Sequence, residues 1–184
     1  MTVVTKKTAT IDDLYRVPDH GKAEIVNGEL RLMSPTGDMP GRAGSAILIS
    51  LRLYERKMPG RAIPDNVGFK VDLPHRQSFS PDVAFHTGKP TGMKFLEGAP
   101  VFAVEIRSEN DYGPQAEREI AAKRSDYFAA GTLVVWDVDL LDEDVIRVYR
   151  AGDPAHPTIY RRGDSAEAEP AVPGWSMLVD ELFD

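Results

Sequence analysis

The chain has 184 residues, 42% of them hydrophobic, with 29 acidic and 22 basic side chains and a formal net charge of -7. This length predicts one domain over residues 1–184, and the acidic balance disfavours non-specific attraction to phosphates. The absence of cysteine excludes disulfides and thiolate metal sites. No apolar run approaches the ~20 residues of a membrane-spanning helix, and the N-terminus lacks the apolar centre of a signal peptide, so we expect a cytoplasmic protein.

The first predicted elements are a polar terminus and a short helix. Residues 1–9 show no periodicity, which is typical of a frayed end. Thr10 and Asp13 have the spacing of a capping box, which predicts the start of a helix that ends within residues 17–21.

A hairpin and a second helix follow. Asn27-Gly28 supplies the positive φ angles that a type I′ turn requires, so residues 22–33 are predicted to form a hairpin with this turn at its tip. Residues 41–58 carry an apolar stripe at helical spacing, with basic and acidic side chains opposite it.

The middle of the chain alternates like a half-buried strand over residues 67–73. We expect it to pair with the short run over residues 80–85 that contains Asp82, through a turn over residues 74–78. The Gly- and Pro-rich residues 88–100 are predicted to form a loop.

The C-terminal half has a buried strand over residues 101–107, a helix that opens at Gly113-Pro114, and another buried strand over residues 132–138. This order predicts a parallel crossover in a mixed sheet, and therefore an α/β (or α+β) protein. Three further elements are expected, namely a partner strand over 145–150, an edge strand at Ile159 and Tyr160, and a closing helix or packed tail marked by Trp175, Leu178 and Leu182.

Charged residues within the strand 101–107 carry the first sign of a site. Alternation places Glu105 and Arg107 on the same face of this otherwise apolar strand. Because desolvating a lone carboxylate costs several kcal/mol, Glu105 should pair with a cation, bind a metal, or lie at the solvated end of the strand.

A lysine on the following helix can reach the same place. Ile120, Lys123 and Tyr127 recur at the spacing of a core-facing stripe, so Lys123 occupies a position where an apolar residue is expected. If the helix packs against the strand, Lys123 reaches the pocket of Glu105. With Asp82 at the start of the other strand, two carboxylates and one amine are expected together.

Such a set can hold a divalent cation and position a water for attack on phosphorus. Buried ion-pair networks explain the same residue types about as often, so both interpretations remain open. Tyr127 is expected in the core, and Glu24 in the hairpin is by itself typical of a solvated strand. The histidines show no ligand spacing and are interpreted as surface or loop residues, namely His20, His75, His86 and His156.

The ordered set of motifs resembles a known family. It comprises Glu24-x-x-x-x-Glu29-Leu30, Met33-Ser34-Pro35, Pro81-Asp82, Glu105-Ile106-Arg107-Ser108, Lys123-x-x-x-Tyr127, Val134-Val135-Trp136-Asp137-Val138 and Pro173-Gly174-Trp175-Ser176. Together these motifs are similar to the putative restriction endonuclease family of the PD-(D/E)XK nuclease superfamily, and the resemblance extends across nearly the whole chain.

The resemblance implies a restriction-endonuclease-like mixed central sheet flanked by helices, and hydrolysis of DNA phosphodiester bonds with Mg²⁺, for which Mn²⁺ can substitute. Asp82 and Glu105 would be the metal ligands, and Glu24 a helper in the same site. The usual lysine two positions after Glu105 is Arg107 here. The resemblance favours Lys123 as the catalytic cation, with Arg107 as the alternative.

Two other functions are considered. The acidic charge and the altered motif position are compatible with a non-catalytic binding or assembly module that kept the nuclease fold. A carboxylate-pair glycoside hydrolase is weaker, because it leaves Lys123 without a role. For a nuclease, a homodimer is expected, since two sites related by a two-fold axis are the simplest way to cut both strands of a duplex.

Overall fold

The structure is a computed structural model that describes residues 8–18 and 21–184. The predictions for residues 1–7 and for the surface position of His20 lie outside the described residues. The first helix ends at Leu14, before the segment 17–21 that was predicted to end it. The helices are α1 (Ile11–Leu14), α2 (Asp38–Tyr54) and α3 (Pro114–Ala129), and a 3₁₀ turn covers Val179–Leu182. The strands in chain order are β1 (Ala23–Val26), β2 (Glu29–Leu32), β3 (Arg61–Ile63), β4 (Phe69–Lys70), β5 (Ser78–Phe79), β6 (Val83–His86), β7 (Leu96–Glu97), β8 (Phe102–Ile106), β9 (Val134–Val138), β10 (Ile146–Arg150), β11 (Asp153–Tyr160), β12 (Ser165–Glu167) and β13 (Ser176–Leu178).

The centre of the molecule is a six-stranded mixed sheet in the order β11-β10-β9-β8-β6-β3. Only β8 and β9 run parallel in this sheet, and the other neighbours are antiparallel. Because α3 connects β8 to β9, the predicted parallel crossover is confirmed, and with it the α/β (α+β) class with a mixed sheet.

The two faces of β8 pack against different helices, because the apolar positions of this strand alternate. Phe102, Val104 and Ile106 belong to a core with Ile47 and Leu51 of α2. On the other face, Ala103 packs in a second core with Tyr127 of α3. Glu105 shares this second face, and that places its carboxylate under α3.

The hairpin β1–β2 lies outside the central sheet and confirms the predicted turn. Asn27 and Gly28 have φ angles of 51° and 72°, as a type I′ turn requires. The hairpin is fixed to β5 and to the residue before it, since the Ile25 N–H donates to Ser78 Oγ at 2.9 Å and the Gln77 N–H donates to the Ile25 carbonyl at 3.1 Å. These bonds set the position of β1 beside the sheet.

The predicted partner of the Asp82 strand is wrong. Residues 67–73 contribute β4, which pairs with β5 and β7, whereas β6 pairs with β3 and β8. The missed strand β3 has three residues, too few to show a period. The second helix is confirmed, but it begins at Asp38 and ends at Tyr54 instead of spanning 41–58.

The C-terminal strands agree with the prediction in pairing. β9 and β10 form an antiparallel pair, and β11 is the edge strand. The closing segment is β13 followed by the 3₁₀ turn, so Leu178 ends a strand and is half exposed, while Trp175 and Leu182 are buried. Within the described residues, no helix is both long and apolar enough to cross a membrane.

A substitution at Gly60, just before β3, would test the packing between this edge of the sheet and β6. Its φ is 128°, and a Cβ added there would lie 2.2 Å from Cε1 of Phe85 on β6. Gly60→Ala should therefore lower the free energy of unfolding by about 2–4 kcal/mol, through backbone strain and overpacking. Urea denaturation measures the loss. Gly152→Ala is the matched control because no atom lies within 4 Å of an added Cβ; equal losses in the two variants would contradict the packing argument.

Candidate functional site

The predicted site residues meet at one place beside the central sheet. Asp82 directly precedes β6, and its N–H donates to the Val104 carbonyl at 3.1 Å, so it lies next to Glu105 on the neighbouring strand β8. Glu24 comes from β1 and Lys123 from α3. Four separate elements therefore supply the charged groups.

Lys123 joins two of the carboxylates. Its Nζ lies 2.9 Å from Glu105 Oε2 and 3.1 Å from Glu24 Oε1. The face of α3 that the sequence predicts to point to the core places the Lys123 amine next to Glu105 on β8. The structure thus gives the carboxylate inside the strand a cation partner.

Tyr127 completes the surroundings of Glu105. Its hydroxyl donates to Glu105 Oε1 at 2.5 Å, and its ring stacks on Phe79 with ring centroids 4.1 Å apart. Tyr127 is fully buried, as the sequence predicts, but it also contacts the site. The helical spacing of four from Lys123 to Tyr127 could have indicated this, because both residues face the same way.

Asp82 is held from two sides. The Ile106 N–H donates to its Oδ2 at 2.8 Å, and Lys22 Nζ lies 2.6 Å from its Oδ1. Lys22 also pairs with Asp65 at 2.8 Å. The sequence did not identify Lys22, since nothing in its local pattern separates it from a solvated lysine at the start of a hairpin.

Glu24 is anchored in the interior, with 4% of its side chain exposed. It accepts hydrogen bonds from Arg76 Nη1 at 2.5 Å and from the Ser80 N–H at 2.9 Å. Arg76 Nε also donates to Asp126 Oδ2 at 2.7 Å, and His75 Nε2 lies 2.7 Å from the other oxygen of Asp126. The interpretation of Glu24 as a solvated strand residue is wrong, because the hairpin packs its face against the chain before β5.

Arg107 has different partners. Its guanidinium donates twice to Asp137 on β9, at 2.8 Å each, and it also pairs with Glu117 on α3. These contacts lie on the α3 side of the sheet, as the alternation predicts. Lys123 is the cation at Glu105, whereas Arg107 clamps the first turns of α3 to β9.

The charges shift one another's pKa values. Burial alone would raise the pKa of Glu24, but Lys123 and Arg76 outweigh it and lower that pKa. Burial raises the pKa of Glu105 against the opposing charge of Lys123, and Asp82 adds to the rise. Burial opposes the charge of Lys123, yet Glu105 and Glu24 raise its pKa, so the amine stays protonated at neutral pH.

The donor set can be compared with the needs of a metal ion. Within residues 8–18 and 21–184, no group of three or more His, Asp or Glu side chains could hold a metal. Asp82 and Glu105 offer carboxylate oxygens, and each oxygen keeps a lone pair besides its present hydrogen bond. Mg²⁺ prefers oxygen and keeps several water ligands, so two carboxylates suffice. The residues fit a hydrated Mg²⁺ and not a fully protein-made cage.

Comparison with known proteins places these features in a class. A mixed sheet with flanking helices, as found here, is the fold of a crystallised putative nuclease belonging to DUF820 from Anabaena variabilis ATCC 29413. The two share 16% identity and a TM-score of 0.72, over 95% of this chain and 97% of that one. The chain belongs to the Uma2 family, described as "Putative restriction endonuclease", whose model matches residues 10–180. No curated protein matches the chain.

Arg76 should be a main support of the site. Replacing it with Met removes the buried cation that Glu24 and Asp126 share, so Arg76→Met should lower the free energy of unfolding by about 3–5 kcal/mol. Without Arg76, Lys123 alone faces the two carboxylates of Glu24 and Glu105, so adding Glu24→Gln should recover part of this loss by removing one of the two negative charges. Urea denaturation measures both effects.

The control for Arg76 is Arg162→Met, which removes an exposed pair with Asp180 and should cost under about 1 kcal/mol. A loss at Arg76 as small as the loss at Arg162 would show that the buried network contributes little.

Proposed function

We propose that the chain is a Mg²⁺-dependent endonuclease that hydrolyses phosphodiester bonds of DNA. Asp82 and Glu105 would bind the metal, Lys123 would be the catalytic cation, and Glu24 would assist it. The observation that carries this proposal is the contact of Lys123 with both Glu105 and Glu24, beside Asp82.

Membership of the family supports a nuclease-like function. The fold is shared with a structure titled a putative nuclease, and this adds support at the level of fold. Because function resides in the site and not in the fold, the argument depends on the four charged residues. The closeness of these four residues supports the roles proposed for them.

The two proposed ligands are accessible and the helper is not. Asp82 and Glu105 are 19% and 24% exposed in their side chains, so solvent can reach both carboxylates. The chemistry that Mg²⁺ supplies when bound is activation of a water nucleophile and neutralisation of charge on the phosphate. Glu24 is too deeply buried for such contact, which makes it a positioning residue for Lys123.

Lys123 would act as a charge and not as a base. Burial opposes its charge, but in the metal-free site Glu105 and Glu24 raise its pKa, so the amine is protonated there and offers a positive charge. A protonated amine held by Glu105 and Glu24 can stabilise the charge that develops on the phosphate, or orient the attacking water. Mn²⁺ should substitute for Mg²⁺, since both accept oxygen ligands.

The family description supports DNA as the substrate. The net charge of -7 requires that any phosphate attraction be local to the site. We also propose a homodimer, because two sites related by a two-fold axis would cut both strands. Sedimentation of the protein with and without duplex measures the oligomeric state.

One observation favours a second function. Both candidate metal ligands already pair with a lysine, Asp82 with Lys22 and Glu105 with Lys123. A closed ion-pair network of this kind suits a nuclease-fold binding or assembly module without catalysis. Failure of both Mg²⁺ and Mn²⁺ to bind, with and without duplex DNA, would favour this alternative.

Glu105→Gln is the sharpest test of the enzyme. The change removes a charge that the metal needs while keeping the shape of the side chain, so nicking of supercoiled plasmid with Mg²⁺ or Mn²⁺ should fall about 100-fold or more. Glu109→Gln, at an exposed acid just after the same strand, should leave the rate unchanged. Equal cleavage by the wild type and Glu105→Gln would remove the proposed role. A parallel assay on single-stranded RNA distinguishes the substrate.

A further inference from the structure

Lys22 occupies one side of the acidic site and has no part in the function proposed above. Its Nζ lies 2.6 Å from Asp82 Oδ1 and 2.8 Å from Asp65 Oδ1, and its side chain is 12% exposed. The ammonium is therefore shared between a site carboxylate and an acid of the loop after β3.

The two oxygens of Asp82 differ in what they can do. The backbone N–H of Ile106 fixes Oδ2 at 2.8 Å, and this bond belongs to the frame of the sheet. Oδ1 is the oxygen that Lys22 contacts, so a metal bound there would lie against the ammonium. A divalent cation and an ammonium repel each other, so they cannot share this oxygen without a cost.

Lys123 and Lys22 differ in the second carboxylate that each contacts. Lys123, on α3, contacts Glu24, whose side chain is buried with 4% exposed. Lys22 contacts Asp65, whose side chain is 45% exposed at the surface. Lys22 can keep this second partner when it leaves Asp82, and a long flexible side chain is suited to such a shift.

We propose that Lys22 is a tethered cation that competes with the metal for Asp82, and that metal binding transfers it fully to Asp65. The inference rests on the metal site of the proposed function. The exchange sets the metal affinity: Lys22 stabilises the metal-free site, and Asp65 lowers the cost of releasing Lys22. Lys22 thus acts on the metal through Asp82 and is not itself a ligand.

The exchange makes a prediction that simple charge effects do not. Lys22→Met frees Asp82 Oδ1, so the dissociation constant of Mn²⁺, measured by calorimetry, should fall about 10-fold. Asp65→Asn removes the second partner of Lys22, so the dissociation constant should rise about 5-fold. In the Lys22→Met background, Asp65→Asn should have no effect, because no lysine remains to be transferred.

Two controls separate the exchange from general electrostatics. Lys70→Met removes an exposed lysine paired with Glu97 and should leave the affinity unchanged. Lys22→Arg keeps a competing cation and should bind Mn²⁺ close to the wild-type value. Thermal unfolding checks that each variant folds, and the exposed Asp65→Asn variant tests the exchange with Lys22 in place.

The outcomes distinguish this inference from the proposed function. Equal weakening by Asp65→Asn with and without Lys22, or no gain in Lys22→Met, overturns the exchange, while loss of binding in Glu105→Gln would still support the metal site. If neither the wild type nor Lys22→Met binds Mn²⁺, the metal site and the exchange both fail. Binding by Lys22→Met that disappears on adding Glu105→Gln supports both.

Discussion

The structure depends on the contact between Lys123 and Glu105, because it resolves the cost of a carboxylate inside a strand. Glu105 lies on β8 between the neighbours β6 and β9, and its side chain is 24% exposed, so folding removes most of its contact with water. The amine from α3 supplies the missing charge at 2.9 Å. The packing of α3 on the sheet and the neutralisation of Glu105 therefore stabilise each other.

Ion pairs extend from this contact in two directions. Lys123 leads to Glu24, Arg76 and Asp126 in the interior, with the half-exposed His75 beyond them. Asp82 leads to Lys22 and Asp65 at the surface. The inner arm is buried, and almost every polar atom in it is hydrogen-bonded, so its side chains are held in place. The outer arm ends in a half-exposed acid and can rearrange. The site thus has a rigid side and an adjustable side.

The sequence predicted the parts that have a local signature. The Asn27-Gly28 turn, the parallel crossover and the shared direction of Glu105 and Lys123 follow from turn chemistry and periodicity. Lys22 and Arg76 were not found, since their partners are 60 and 50 or more residues away and the local pattern of a lysine or arginine contains no information about such contacts. The strand β3 was missed for a related reason, because its place is set by pairing with β6 and not by its own residues.

The hairpin gives the site an unusual dependence on a distant turn. Lys22 and Glu24 are two residues apart, so their side chains lie on the same face of the extended chain. One is a cation and the other is an anion. The register of this face is set by the two-residue turn at Asn27-Gly28, with Val26 opposite Glu29. A shift of one residue would turn both side chains away together. β1 and β2 have no place in the strand order of the six-stranded sheet, so the hairpin supplies charges to the site from outside that sheet.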